Sequence, residues 1–171
     1  MTRGWEYVHS RKPEEACDLF AQAVAEARFL HNPLVLVEAL MALGQVECSL
    51  KHPASAVDSY REAADVAGNN GEAERQAEAL IEIAALLEAQ KRTEEGSTIC
   101  DQLLALQQKQ ENDAALPRAR ALHMLARFQE HDTEHDELAL LLQAAASLYE
   151  TAGDHSHAAE CQSQLAFLLG Q

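Results

Sequence analysis

The sequence of 171 residues contains few aromatic residues, few glycines and few prolines. Aromatic residues make up 5% of the chain, although hydrophobic residues make up 47%. This composition disfavours a β-sandwich or barrel, because strands are enriched in aromatic and β-branched side chains. With 7 glycines and 4 prolines, the chain also differs from loop-rich and disordered proteins. Helices that pack through small side chains are therefore expected.

Basic residues are also scarce, and long apolar runs are absent. The 13 Lys and Arg face 28 Asp and Glu, which gives a formal net charge of −15. Without a basic patch such a chain repels phosphate backbones, so we expect no nucleic-acid binding. The sequence contains no apolar run of membrane-spanning length and no secretion signal, so neither a membrane location nor secretion is expected. A reducing, cytoplasmic compartment is indicated by the wide spacing of the four cysteines, Cys17, Cys48, Cys100 and Cys161.

Sequence motifs for catalysis and metal binding are missing too. The chain has no glycine-rich phosphate loop, no GxSxG and no HExxH. His131 and His135 have the spacing of two ligands on one helix face, but they fall at a predicted loop, and zinc requires three or four convergent donors. We interpret this segment as a solvated polar turn. Neither a metal, a cofactor nor an enzymatic activity is expected.

What the sequence does contain is a repeat of about forty residues. A small residue recurs at positions 4, 44, 84, 126 and 166. A second series recurs in phase with it, with spacings of four and three that place its members on one stripe of a helix. Its four copies are Ala16, Phe20 and Ala23, then Ala56, Tyr60 and Ala63, then Gly96, Cys100 and Leu103, then Leu138, Leu142 and Ala145. Each repeat is therefore two helices, A and B, that bury their apolar faces by stacking on neighbouring repeats.

This pattern resembles the tetratricopeptide repeat (TPR), in which helix A carries Leu-Gly or Leu-Ala and helix B carries Ala, an aromatic residue and Ala. The best matches are Leu43-Gly44 in helix A and Ala56, Tyr60 and Ala63 in helix B. The resemblance implies an all-α, right-handed superhelical solenoid of antiparallel helix pairs. It covers 1–171 as a single domain, with repeats at about 1–32, 33–71, 72–113 and 114–153 and a terminal half-repeat at 154–171.

Local signals for helix ends place nine helices in this array. Prolines favour the first turn of a helix, and glycine and asparagine favour helix ends. Pro13, Pro33, Pro53 and Pro117 each lie near a predicted start. The predicted helices span 2–11, 14–30, 34–50, 53–67, 72–90, 93–111, 115–130, 134–151 and 155–169.

The resemblance also implies where a partner would bind, because the A helices of TPR proteins line a concave groove. Carried over by position, the groove residues are Glu38, Met41, Gln45, Ser49, Glu78, Ile81, Arg120, His123, Arg127 and Phe167. Arg120 and Arg127 are seven residues apart and share a helix face. Their guanidinium groups could clamp a carboxylate such as a peptide C-terminus. Alternatively, they pair with glutamates of neighbouring repeats, such as Glu78 or Glu160, and both arrangements are compatible if a ligand displaces an internal pair.

Both ends of the array are apolar, which gives a second hypothesis for function. An end-to-end interface would include Trp5, Phe167, Leu168 and Leu169, unless the last helix buries its apolar residues on the fourth repeat. The expected function is a non-catalytic scaffold that binds a peptide or helix of a partner protein in the groove. The alternative is a self-assembly or docking module, either a homodimer through the terminal helices or a piece of a larger TPR regulator.

Overall fold

The computed structural model describes residues 13–108, 115–130 and 134–170, and all secondary structure in these ranges is helical. This confirms the all-α prediction. The helix predicted at 2–11 lies outside the described residues, and the other eight are present over nearly the predicted ranges. Numbered in chain order, they are α1 (Pro13–Phe29), α2 (Pro33–Ser49), α3 (Pro53–Asn69), α4 (Ala73–Ala89), α5 (Thr93–Gln108), α6 (Ala115–Phe128), α7 (His135–Thr151) and α8 (His155–Leu169).

Most consecutive helices are joined by one kind of tight turn, in which the second residue after the helix has a positive φ angle. The next amide then bonds back to the last helical turn, as in Asn32 N to Ala27 O at 3.1 Å, which satisfies a helix-end carbonyl. The Asn32 side chain then caps α2 by accepting a hydrogen bond from Val35 N. The positive-φ residues are His31 (51°), Lys51 (60°), Gly71 (73°), Lys91 (57°) and Gly153 (78°).

Substitutions at these turns test the backbone conformation alone. A Cβ at Gly71 would have no atom within 4 Å, so Gly71→Ala should lower the free energy of unfolding by about 1 kcal/mol, because alanine disfavours positive φ. Lys91→Gly relieves the same strain and should raise the free energy of unfolding by about 0.5–1 kcal/mol. Chemical denaturation of both variants beside the wild type measures these changes. If the free energy of unfolding changed with the same sign in both variants, the positive φ angles of Gly71 and Lys91 would be contradicted.

The chain divides into two compact units, residues 1–83 and 84–171, and the division falls within α4. In the first unit, α2 packs against both α1 and α3. In the second unit, α6 packs against α5, and α7 packs against both α6 and α8. The assignment of 1–171 to a single domain stays a prediction.

The first unit is packed as the repeat pattern predicts, with a small residue of helix A against an aromatic residue of helix B. A Cβ at Gly44 of α2 would lie 2.8 Å from the ring of Tyr60 on α3. Phe20 of α1 is buried in a cluster with Ala42 and Val46 of α2. Gly44 is therefore needed for the close approach of α2 and α3.

The second unit reverses this arrangement at one contact. The small residue, Gly96, is on helix B (α5), and the aromatic residue, Phe128, is on helix A (α6). A Cβ at Gly96 would overlap the Phe128 ring, and Phe128 is 3% exposed. The contact between the third and fourth repeats thus keeps a large residue against a small one, but helix B supplies the small residue and helix A the large one.

Candidate binding site

An open pocket of about 550 Å³ lies between α6, α7 and α8 of the second unit. Its inner side is apolar, because the buried residues Leu138 and Leu142 of α7 line it with Leu168 of α8. Its polar lining residues are Arg127, Glu130, His135, Ser163 and Gln164, and Ala126 and Phe167 complete the lining. Two predicted groove residues, Arg127 and Phe167, therefore meet in one pocket.

The apolar residues of α8 divide between the core and the surface. Leu165 and Leu168 pack against a buried cluster of Ala126, Leu138 and Leu142. Phe167 is 70% exposed and Leu169 is 67% exposed. Fourth-repeat packing therefore does not bury either of these two residues. Trp5, the predicted interface residue at the other end, lies outside the described residues.

The two predicted groove arginines differ in their partners. Arg127 Nη2 lies 2.6 Å from Glu88 Oε1 on α4, so Arg127 forms an internal ion pair, although neither Glu78 nor Glu160 is the partner. Arg120 is exposed and forms no ion pair within the described parts of the chain. The two guanidinium groups therefore do not act as an equivalent pair in this structure.

Apart from His123, the remaining predicted groove residues lie in the first unit, on α2 and α4. Glu38 pairs with Arg75 at 3.1 Å, which links these two A helices. Met41 and Ile81 are half-buried, whereas Gln45, Ser49 and Glu78 are exposed. The Ser49 hydroxyl donates a hydrogen bond to the Gln45 carbonyl at 3.1 Å. These side chains present a mixed polar and apolar surface on the A helices of this unit.

His123, predicted to face the groove, is buried, with 4% of its surface exposed. Its Nε2 lies 3.2 Å from the side-chain oxygen of Gln164, and its ring contacts Tyr149 edge to face at 6.0 Å. Tyr149 in turn stacks on His157, whose Nδ1 lies 2.7 Å from Asp154 Oδ2. The His123 side chain therefore belongs to the packing of α6 against α7 and α8.

The burial of His123 predicts a dependence of stability on pH. Desolvation lowers the His123 pKa from its usual 6.5; Glu160 and the Gln164 hydrogen bond oppose this shift, and Arg127 and His157 reinforce it. The unfolded chain therefore binds this proton more readily, so the free energy of unfolding should fall as the pH drops below about 6.5. Denaturation of wild type and His123→Gln at pH 7.5 and 5.5 tests this, and an equal loss in both proteins would contradict it.

The cysteines and acidic residues offer no reactive or metal-binding group in the part of the chain that is described. Burial raises the pKa of Cys100 to about 12 and that of Cys161 to about 11. The pKa values of Cys17 and Cys48 are also raised, chiefly by burial, so all four thiols are weak nucleophiles at neutral pH. Among the described residues, no three His, Cys, Asp or Glu side chains converge on a metal position.

None of the described helices has the length and apolar character to cross a membrane.

Comparisons with known proteins find similar folds but no similar sequences. No family model matches the sequence, and no curated protein matches it. A Podosopora anserina protein described as a kinesin light chain, with nearly identical TPR-like repeats, superposes with a TM-score of 0.64 at 18% identity, over 98% of this chain and 92% of that one. A variant of the same protein gives a TM-score of 0.66, also at 18% identity, over 98% of this chain and 91% of that one.

A further similar structure is that of a Rap protein complexed with competence and sporulation factor. It superposes with a TM-score of 0.62 at 15% identity, over 98% of this chain and 52% of the Rap chain. The chain thus spans about half the length of that protein. At such identities the similarity shows the fold.

Proposed function

We propose that this chain, which has the fold of the tetratricopeptide-repeat proteins, is a non-catalytic interaction module that binds a segment of a partner protein in the pocket between α6, α7 and α8. The observation that carries the proposal is Phe167, a large apolar side chain that is 70% exposed beside an apolar pocket. An exposed apolar patch with polar residues around it is typical of a protein-interaction site.

The size and lining of the pocket suit a side chain of a peptide or helix. A volume of about 550 Å³ lies in the range of ligand pockets. An inserted apolar side chain would contact Leu138, Leu142 and Phe167. Because the Ser163 hydroxyl donates to the Ala159 carbonyl, its oxygen could accept a hydrogen bond from the partner, and the Gln164 side-chain nitrogen could donate one. A partner helix would then be recognised through the apolar residues on one of its faces.

Two further considerations support a non-catalytic interaction module. A similar fold, that of the Rap protein, is found in a complex with competence and sporulation factor, which is support by analogy of fold. The raised thiol pKa values leave no activated cysteine. From the wide spacing of the cysteines and the net charge of −15, we propose a cytoplasmic protein without a nucleic-acid or membrane partner. Met41, Gln45, Ser49, Glu78 and Ile81 of the first unit are proposed as a separate contact surface for a partner protein.

Selection from a random peptide display library tests the proposal. A selected peptide should bind the wild type, and Phe167→Ala should weaken its binding by about tenfold or more, because truncation of a central aromatic contact costs above 1 kcal/mol. The matched control is Phe29→Ala, in which an 83% exposed phenylalanine of α1 is removed from the first unit. Unchanged binding in Phe167→Ala, or equal losses in both variants, would refute the pocket as the site.

Self-assembly is the second candidate function, and the exposure of Leu169 beside Phe167 favours it. Two copies joined through the ends of their α8 helices would cover both side chains. Light scattering after size exclusion, over a hundredfold range of concentration, would then show a dimer that Leu169→Asp abolishes. A constant monomer mass would exclude this alternative.

A further inference from the structure

We infer that the partner segment is basic and amphipathic, with a large apolar side chain that enters the pocket and a neighbouring lysine or arginine that pairs with Glu130. This inference rests on the proposed function, and it adds the chemical class of the partner. Three observations carry it: the internal pairing of the pocket arginine, the unpaired carboxylate of Glu130 in the pocket lining and the exposed apolar side chain of Phe167.

The first observation is that Arg127 has a short contact with an acid of its own chain. Its Nη2 lies 2.6 Å from Glu88 Oε1, and the Glu88 side chain is only 26% exposed. A partner carboxylate at this point would approach Glu88 as well as Arg127, so that repulsion by one offsets attraction by the other. Arg127 therefore gives the pocket little net attraction for an acidic ligand.

The second observation is an acid without a partner in the lining of the same pocket. Glu130 lines the pocket and is exposed, and its carboxylate forms no ion pair or hydrogen bond with any residue in the described ranges. Three further exposed acids, Glu134, Asp136 and Glu137, flank the lining residue His135 at the start of α7, outside the pocket itself. The formal charge of the whole chain, −15, has the same sign.

The third observation is that this charge adjoins an apolar contact surface. Phe167 offers a side chain that is 70% exposed, and Leu138, Leu142 and Leu168 line the pocket beside it. A segment that combines one large apolar residue with basic neighbours would satisfy both surfaces. Opposite charges would also speed its association with the acidic chain. An acidic segment would instead meet Glu88 and Glu130 with like charge.

The test uses random peptide display against wild type, Glu130→Lys and a control, Glu94→Lys. Glu94 is an exposed acid in the first turn of α5, so both variants change the net charge equally. Peptides selected on the wild type should carry lysine or arginine beside a large apolar residue. Those selected on Glu130→Lys should carry aspartate or glutamate there, and those selected on Glu94→Lys should resemble the wild-type set. Circular dichroism would establish that all three proteins are equally helical.

Titration of the wild-type consensus peptide gives the quantitative readout. The peptide should bind Glu130→Lys about five- to tenfold more weakly than wild type, bind Glu94→Lys as tightly as wild type, and bind more weakly as the salt concentration rises. Selection of acidic peptides whose binding depends on Phe167 would overturn the inference and leave the proposed pocket intact. If no selected peptide depends on Phe167, or if only a second copy of the chain occupies the pocket, both proposals fail.

Discussion

Leu125→Asp is expected to unfold the second unit. Leu125 lies on α6 and is 6% exposed. Removal of a buried leucine costs about 2–5 kcal/mol, and a carboxylate without a partner adds a desolvation penalty of several kcal/mol. A loss of about 4 kcal/mol or more is a large part of the 5–15 kcal/mol that stabilises a typical domain. Circular dichroism and chemical denaturation would measure the loss of helix and stability.

The matched control for this substitution is Leu140→Asp on α7. Leu140 is 67% exposed, so its carboxylate stays hydrated, and the free energy of unfolding should change by less than about 0.5 kcal/mol. Similar losses in the two variants would contradict the description of the core of this unit.

Gly96→Ala is expected to destabilise the protein by about 2 kcal/mol, because the new methyl group would overlap the Phe128 ring and overpacking of a core costs about 1–3 kcal/mol. The sign is informative, since replacement of glycine by alanine within a helix ordinarily stabilises it by about 1 kcal/mol. In a Phe128→Ala background the overlap is absent, so the same substitution should become stabilising. A double-mutant cycle by chemical denaturation measures this coupling.

Gly68→Ala is the control for the glycine substitution. A Cβ at Gly68 would meet only the amide end of the flexible Gln76 side chain, which can move away. The substitution should therefore leave stability unchanged or slightly increased. If Gly96→Ala stabilises the protein in both backgrounds, the close packing of α5 on α6 is wrong.

Most of the fold could be predicted because its signals are local and periodic. Pro33 and Pro53 each occupy the first position of a helix, as their fixed φ angle favours. The contact of Gly44 with Tyr60 follows from a small residue and an aromatic residue that recur in phase. The TPR resemblance is thereby confirmed at the level of the fold.

Two features of the fold could not be predicted in this way. His31, Lys51 and Lys91 adopt positive φ without the glycine that ordinarily marks such turns. The helices on either side impose this conformation. In the sequence, the positions carry no residue typical of such a turn, and only their twenty-residue spacing marks them as equivalent. In the contact of Gly96 with Phe128, helix B supplies the small residue and helix A the large one, so the regular repeat pattern does not predict this contact.

In the candidate site too, residues that follow the repeat pattern could be predicted, whereas contacts that depend on how the helices pack could not. Arg127 and Phe167 were predicted from their positions in the repeat, and both line the pocket. Glu130 and His135 were not predicted to contribute, because they lie outside the repeat pattern of helix A. The partner of Arg127, Glu88, depends on how neighbouring helices approach one another, which the sequence does not specify.

The pocket as a binding site can be tested most directly by mapping a selected peptide onto the backbone amides by NMR. Titration into the isotopically labelled protein should shift amide signals in three segments, 126–130, 135–142 and 163–168, which contain the pocket residues. Phe167→Ala should greatly reduce these shifts at the same peptide concentration. Shifts concentrated at residues 29–35, where a second group of exposed apolar side chains lies, with none in the pocket segments, would contradict the account.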